Sequence, residues 1–305
     1  IFICLPTPLK KNIPDLSYIF DCVKKMKPYI LEKKLIVLES TVYPGVTRKI
    51  RKLILSKNKK AGKDIFIGYS PERENPGDKK FSYEFTPKVI SGYSTKCLSL
   101  VDIAYSLIVK KRHKAPSLEI AETSKLLENL YRAVNIGLVN ELKIICEKLN
   151  IDVFDVINAA STKNFGFQRF LPGPGWGGHC IPIDPFYLSW VSAQNGYDPI
   201  LVKNTGRINE NMPSWILNKV FRYLSHKKIK KIKILLLGIS YKKNVDDDRE
   251  SPAFHFMKIL DRKKIKYSYS DPFFKKIRQG RKNIKPIKSI KLSSSNLKKY
   301  DCAIL

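Results

Sequence analysis

At 305 residues and 43% hydrophobic content, the chain is long enough for two domains or for one large core with a satellite. No apolar run approaches the roughly 20 residues of a membrane span, and no charged-then-apolar leader precedes a small-residue cleavage site, which points to a cytoplasmic protein without a membrane partner. The net charge of +30 raises nucleic-acid binding as a class, but the lysines are spread along the whole chain, and the dense runs 227–233 and 275–291 have little aromatic interleaving. A solvated basic face is therefore expected rather than a nucleic-acid partner. The six cysteines, Cys4, Cys22, Cys97, Cys146, Cys180 and Cys302, lie far apart with no CxxC pair, which argues for free thiols and against both a disulfide framework and a zinc site.

In chain order, Ile1 to Leu5 is a short apolar run that stops at Pro6-Thr7-Pro8, as a buried parallel strand would. A helical pattern follows from about Leu16 to Ile30. Lys34 to Leu38 reads as a second strand ending in Glu39-Ser40-Thr41, Thr47 to Leu55 as a helix, and Ile65 to Tyr69 as a third strand closed by Ser70-Pro71-Glu72-Arg73. Strand, helix, strand, helix, strand is the pattern of a doubly wound α/β sheet. Ligands of such sheets lie beyond the carboxyl ends of the strands, where Thr7, Thr41 and Glu72 fall.

From about Ser117 a single long helical period takes over, carrying Leu126, Leu130, Val134 and Leu138 on one side, with Tyr131, Ile136 and Val139 on others. A helix apolar on several faces wants partners on several faces, which is compatible with a homodimer. Lys125 and Asn129 are four residues apart and project from one helical face, either as a solvated pair or converging on one ligand. Val153 to Ala160 and Ile200 to Tyr223 are also helical. A new α/β unit opens with the strand at Lys231 to Gly238, followed by Tyr241-Lys242 and an acidic turn; Ser251 and Pro252 suit the N-cap and first position of a helix. Ile265 to Tyr269 and Cys302 to Leu305 read as further strands.

Between the helical stretches lies FQRFLPGPGWGGHCIPIDPFYLSW, residues 167–190. Gly173, Gly175, Gly177 and Gly178 precede Cys180 and strip β-carbons from the approach to its sulfur, so that backbone N–H groups could close on a ligand or a developing oxyanion. Pro172, Pro174, Pro182 and Pro185 are expected to deny the loop helical structure, and Asp184 follows four residues after the thiol. The plain alternative is a buried structural cysteine in a tight turn.

ICLPTP (3–8), ESTVYPG (39–45), SPERENPGD (70–78), AETSKLLENLYRAVNIGLVNELK (121–143), GPGWGGHCIPIDPFYL (173–188) and GISYKKNVDDDRESPA (238–253) together resemble the nucleotide-sugar 6-dehydrogenases, over nearly the whole chain and in the right order. The GGHCIPIDPFYL form looks closest to the UDP-N-acetylglucosamine 6-dehydrogenase branch. The resemblance implies an α/β chain with two Rossmann-like doubly wound domains, both incomplete here, joined by a central helical domain. The expected parts are the C-terminal part of an NAD-binding domain at 1–114, a central dimerisation domain with the cysteine loop at 115–225, and a UDP-binding domain at 226–305. It implies NAD-dependent oxidation of the C6 hydroxyl of a UDP-sugar to the uronic acid, for surface polysaccharide precursors. By resemblance Cys180 is the nucleophile that carries a thiohemiacetal and then a thioester, and Lys125 and Asp184 bracket the reacting oxygen. Asn129 would donate to the oxyanion, and Glu72 and Thr41 would position or activate water. Thr7, Thr41 and Glu72 are the implied cofactor contacts, and Lys125, Asn129, Gly177, Gly178 and Lys242 the implied substrate contacts.

The GxGxxG phosphate loop expected after the first strand of a dinucleotide domain does not occur in this sequence, which begins where the family's fourth strand would lie. The 305-residue chain by itself is accordingly expected not to reduce NAD. An inactive fragment that keeps fold and dimer surface is the alternative. A cysteine hydrolase built on His179 and Cys180 is disfavoured, because neighbours in an extended loop point in opposite directions.

Overall fold

The continuous apolar strings KLIVL and IFIGY, rich in β-branched and aromatic residues, are suited to strands covered on both faces. In the computed structural model they are adjacent parallel strands. The structure describes residues 1–30, 33–55, 59–74, 85–178, 181–229, 231–277 and 284–305. The chain divides into two compact units, residues 1–131 with 183–200 and residues 132–182 with 201–305.

In the first unit a five-stranded sheet has the order β1 (Phe2–Ile3), β4 (Lys34–Leu38), β5 (Ile65–Tyr69), β6 (Lys88–Gly92), β7 (Arg112–Lys114). Strands β1, β4 and β5 run parallel, β6 pairs antiparallel with β5, and β7 runs parallel to β6. A small hairpin of β2 (Leu9–Lys10) and β3 (Ile13–Pro14) leads into α1 (Ser17–Met26). Alternation along β4 separates two cores: Ile36 and Leu38 pack with Ile19 and Val23 of α1 and with Val46 and Ile50 of α2 (Val46–Ile54). Val37 instead joins Ile90, Val101 and Tyr105, the last two from α3 (Thr95–Ser106), whose N-cap Ser94 accepts from the Cys97 N–H. The first two strands and helices fall where the sequence places them. Strands β6 and β7 and helix α3 occupy a stretch to which the sequence reading assigned no element.

The proline-rich loop is shorter than expected. Helix α6 (Asp184–Gln194) starts at Asp184 itself, with Pro185 in its first turn. A proline there loses nothing, because its missing N–H has no intrahelical acceptor. The expectation that Pro185 excludes helix is thereby corrected.

Helix α4 (Leu118–Lys148) is one element of 31 residues. In the second unit its later residues Val139 and Cys146 pack on Val153 and Ile157 of α5 (Val153–Ala160). Helix α7 (Ile200–His226) carries a buried Pro213, and its Leu217 enters a core with Ile234 and Leu236 of β8 (Lys233–Leu237). That sheet is fully parallel, with β8 between β10 (Cys302–Ile304) and β9 (Lys266–Ser270). Helix α8 (Pro252–Arg262) begins as its sequence suggests, Ser251 capping the Ala253 N–H with Pro252 in the first turn. Both ends of the chain thus carry parallel-sheet, Rossmann-like α/β structure, and a helical stretch lies between them in sequence.

Gly68 of β5 and Gly92 of β6 are register partners. A β-carbon on Gly68 would lie 2.3 Å from Val101 Cγ2, and one on Gly92 would lie 2.2 Å from the Leu98 backbone nitrogen. The paired glycines let α3 lie directly on the sheet. Gly92→Ala is expected to lower stability by about 1–3 kcal/mol, the usual range for overpacking, seen as a lower denaturation midpoint at unchanged slope. A midpoint equal to that of the unmodified protein would show that α3 can ride away from the strand.

Candidate active site

The four-residue spacing of Lys125 and Asn129 does bring both side chains to one buried face of α4. Lys125 is 9% exposed and Asn129 3%. They meet Asp184, also 3% exposed, at the first turn of α6. Asn129 Nδ2 donates to Asp184 Oδ2 at 2.5 Å. Burial pushes the Asp184 carboxyl up to about 7, against the opposing pull of the Asn129 hydrogen bond and of the Lys125 charge. A carboxyl that titrates near neutrality, beside a cation and an amide, can both take and return a proton. The Asn129 amide, expected as a donor to an oxyanion, commits one N–H to this carboxylate.

Further contacts brace the cluster. Glu122, one turn before Lys125 on α4 and fully buried, accepts from the N–H of Gly45 (2.5 Å), the N–H of Thr47 (2.8 Å) and the Thr47 hydroxyl (2.6 Å). It thus holds the N-terminus of α2, where a helix leaves N–H groups unpaired. Burial outweighs these three donors and raises its carboxyl above the ordinary range. The Tyr187 hydroxyl of α6 donates to the Thr7 carbonyl (2.8 Å), and the Thr7 hydroxyl donates to the Thr41 carbonyl (2.9 Å). Thr7 and Thr41, the expected cofactor contacts, are therefore side by side after β1 and β4.

Glu72 lies beyond the end of β5. Its Oε1 accepts from the N–H groups of Arg73 (2.7 Å) and Glu74 (2.5 Å), and its Oε2 from Lys88 Nζ (3.1 Å). Nearby in sequence, the fully buried Tyr69 hydroxyl finds no hydrogen-bond partner among the described residues. Glu122, Tyr187, Tyr69 and Lys88 were all missed by the sequence reading. Tyr69 had one visible signal, its place as the last residue of a strand directly before Ser70-Pro71-Glu72.

In the second unit, the glycine loop is held by a pair of buried amides. Asn140 Nδ2 donates to Asn209 Oδ1 (2.8 Å), Asn209 Nδ2 donates to the Thr205 carbonyl (3.0 Å), and Asn140 Oδ1 accepts from the Gly173 N–H (2.8 Å). Gly175 has φ +110° and no room for a β-carbon, which would lie 2.6 Å from the Asn209 carbonyl oxygen. Gly178 has φ +88°; its β-carbon would strike the Tyr241 ring at 2.8 Å, and its N–H donates to the Arg249 carbonyl (3.1 Å). A β-carbon on Gly177 would come to 3.0 Å from both Tyr241 and Pro252. At Gly175, Gly177 and Gly178 a β-carbon would thus meet protein atoms, so the missing side chains also serve packing. Lys242 is half-buried in the turn after β8. His179 and Cys180 lie outside the described residues. Among the described residues there is no cluster of three or more metal-ligating side chains, and no helix is long and apolar enough to cross a membrane.

Comparison with known proteins places these elements in a family. The NAD binding domain of the UDP-glucose/GDP-mannose dehydrogenase family matches residues 1–109, its central domain residues 119–211 and its UDP binding domain residues 235–305. Protein CapL of Staphylococcus aureus is 40% identical over 266 residues, covering 85% of this chain and 62% of CapL. A UDP-N-acetyl-D-glucosamine 6-dehydrogenase of Pseudomonas aeruginosa is 34% identical over 277 residues, covering 89% of this chain and 65% of that protein. Among solved structures, a UDP-D-ManNAc dehydrogenase from Pyrococcus horikoshii superposes with a TM-score of 0.82 at 32% identity, covering 89% of this chain and 65% of that one. The chain thus spans a little under two thirds of the length of these relatives. With all three domains of one family matched in order, the chain belongs to the UDP-glucose/GDP-mannose dehydrogenase family.

Proposed function

We propose that the protein oxidises the C6 hydroxyl of a UDP-N-acetylhexosamine to the carboxylate with NAD, for surface polysaccharide precursors. The observation that carries this reading is the buried Lys125, Asn129 and Asp184 cluster, a charged set that a structural core has no reason to keep. In this reading residues 1–114 serve the cofactor, 115–225 the chemistry and the dimer, and 226–305 the UDP moiety, with Lys242, Gly177 and Gly178 on the substrate side. Thr7, Thr41 and Glu72, with the unsatisfied Tyr69 hydroxyl, offer the hydroxyl and carboxylate groups that suit the ribose and nicotinamide end of a dinucleotide at the carboxyl edge of a parallel sheet. NAD, when bound, supplies the hydride acceptor.

Asp184, ionised, takes the proton of the C6 hydroxyl as it becomes an aldehyde, and Lys125 offsets the negative charge on that oxygen. Cys180, as thiolate, adds to the aldehyde carbon. After the second hydride leaves, the sugar is held as a thioester. Water, positioned by Glu72 and Thr41, attacks its carbonyl, releasing the carboxylate and the free thiol. The direct test is a panel of UDP-sugars with NAD and the full-length protein, in which two NADH should form per UDP-N-acetylhexosamine consumed. Cys180→Ala is expected to lower acid formation by on the order of a thousandfold or more; undiminished acid formation would remove the covalent route.

Asp184 also sets a pH dependence. Its folded-state carboxyl is raised, so its ionised form, and with it kcat, is expected to rise with pH through about 7. The same shift means that the stability gained from a neutral Asp184 is full below the ordinary carboxylate range and lost as pH rises through about 7. Asp184→Asn should flatten both profiles. A wild-type rate that is level between pH 5 and pH 9, measured at saturating substrates, would contradict the assignment.

The dimer has its own support in α4. Ile120, Leu127, Tyr131, Leu138, Ile145 and Leu149 recur at intervals of seven or four residues on one face and are each between 48% and 61% exposed. A stripe of this length fits the facing helix of a second copy. Light scattering is expected to give the mass of a dimer, and Leu138→Glu to shift it toward monomer; a monomer at micromolar concentration in the unmodified protein would overturn the proposal.

A further inference from the structure

We infer that Lys88 is a positioning residue for Glu72, its buried ammonium clamping one carboxylate oxygen while the Arg73 and Glu74 N–H groups hold the other. Lys88 is 2% exposed, a rare state for a lysine. Its Nζ lies 3.1 Å from Glu72 Oε2 and 3.5 Å from Glu39 Oε1. It also stands 5.4 Å from the centre of the Tyr105 ring. The inference rests on the role proposed above for Glu72.

The topology explains how a strand's first residue reaches this place. Strands β1, β4 and β5 are parallel, so Glu39 and Glu72, just beyond the ends of β4 and β5, gather at the carboxyl edge. A fourth parallel strand would put its first residue at the far edge. Because β6 runs antiparallel to β5, its opening residue Lys88 arrives beside those carboxylates.

Glu39 is anchored independently: the Tyr105 hydroxyl from α3 donates to its Oε1, and the Cys4 thiol after β1 donates to its Oε2 at 3.1 Å. Burial and the Glu39 carboxylate push the Cys4 thiol up to about 11, so it remains a donor. Arg73 is turned away from Glu72 toward Glu128 of α4, at 2.9 Å. Burial by itself would raise the Glu72 carboxyl, but Lys88, with the Glu74 and Arg73 N–H groups, holds it below the ordinary carboxylate range. Glu72 is thereby kept as an ionised, doubly fixed acceptor. Such a group can orient a water by accepting its hydrogen bond, and it is too weak a base to remove the proton outright.

The test follows Glu72 by carbon-13 carboxyl NMR in the full-length protein, alongside pH profiles of acid formation. In the unmodified protein Glu72 is expected to titrate below the ordinary carboxylate range; titration at or above that range overturns the inference without any variant. In Lys88→Met the Glu72 titration is expected to rise by about one unit, a tenfold change in its ionisation equilibrium. The limb near 7 belongs to Asp184 and should stay where it is, while kcat on the plateau above it falls about tenfold, with KM for UDP-sugar and NAD within about twofold. Lys88→Arg should restore most of kcat. If Lys88→Met does not fold, Lys88→Met with Glu39→Gln removes the surplus negative charge and should show the same shift. A Glu72 titration that does not move, or one that moves while the plateau kcat stays, overturns the positioning role. A full-length protein that oxidises no UDP-sugar would sink the proposed function instead, while the titration still decides whether Lys88 governs Glu72.

Discussion

The burial of charge along one face of α4 is the constraint on which the first unit depends. Glu122, Lys125 and Asn129 follow each other at helical spacing, and none can be left unpaired in a region that excludes water. Glu122 and Asn129 therefore dictate the position of other elements. Glu122 draws the N-terminus of α2 onto the helix, and Asn129 holds Asp184 and hence the start of α6. Tyr187, one turn further along α6, then reaches the loop after β1 through the Thr7 carbonyl. Elements distant in sequence are fixed by a few short polar contacts, and hydrophobic packing around Leu126, Tyr69 and Tyr187 fills the space between them.

The same physics makes the cluster reactive. Asp184 would ionise at ordinary acidic pH in water; in this setting burial outweighs one hydrogen bond and one nearby cation. Glu72, only partly buried and in contact with Lys88, is shifted the other way. Two carboxylates of the same unit are thus driven apart in acidity by their surroundings, which allows one to exchange protons near neutrality while the other stays ionised.

In the second unit backbone geometry takes the part that charge plays in the first. The Asn140 and Asn209 side chains, both buried, satisfy each other and reach the Gly173 N–H, and Gly175 and Gly178 adopt backbone angles that a residue with a β-carbon would resist. The dense glycines of this stretch are used largely for packing against Asn209, Tyr241 and Pro252.

Local sequence was sufficient for whatever depends on neighbours along the chain. The apolar strings of β4 and β5, the period of α4, the Ser251-Pro252 helix start and the common face of Lys125 and Asn129 all follow from residues within a few positions of one another. The motifs, taken in order, were also enough to reveal the family. Other features were illegible because their cause lies elsewhere in the fold. Pro185 looks like a helix breaker until its place in the first turn is known, and Glu122 looks like one more surface acid until α2 arrives above it. Lys88 is one lysine among many in a highly basic chain. Only the reversal of β6 carries it to the edge where Glu39 and Glu72 are gathered, and the direction of a strand is decided by tertiary pairing, which no window of sequence contains.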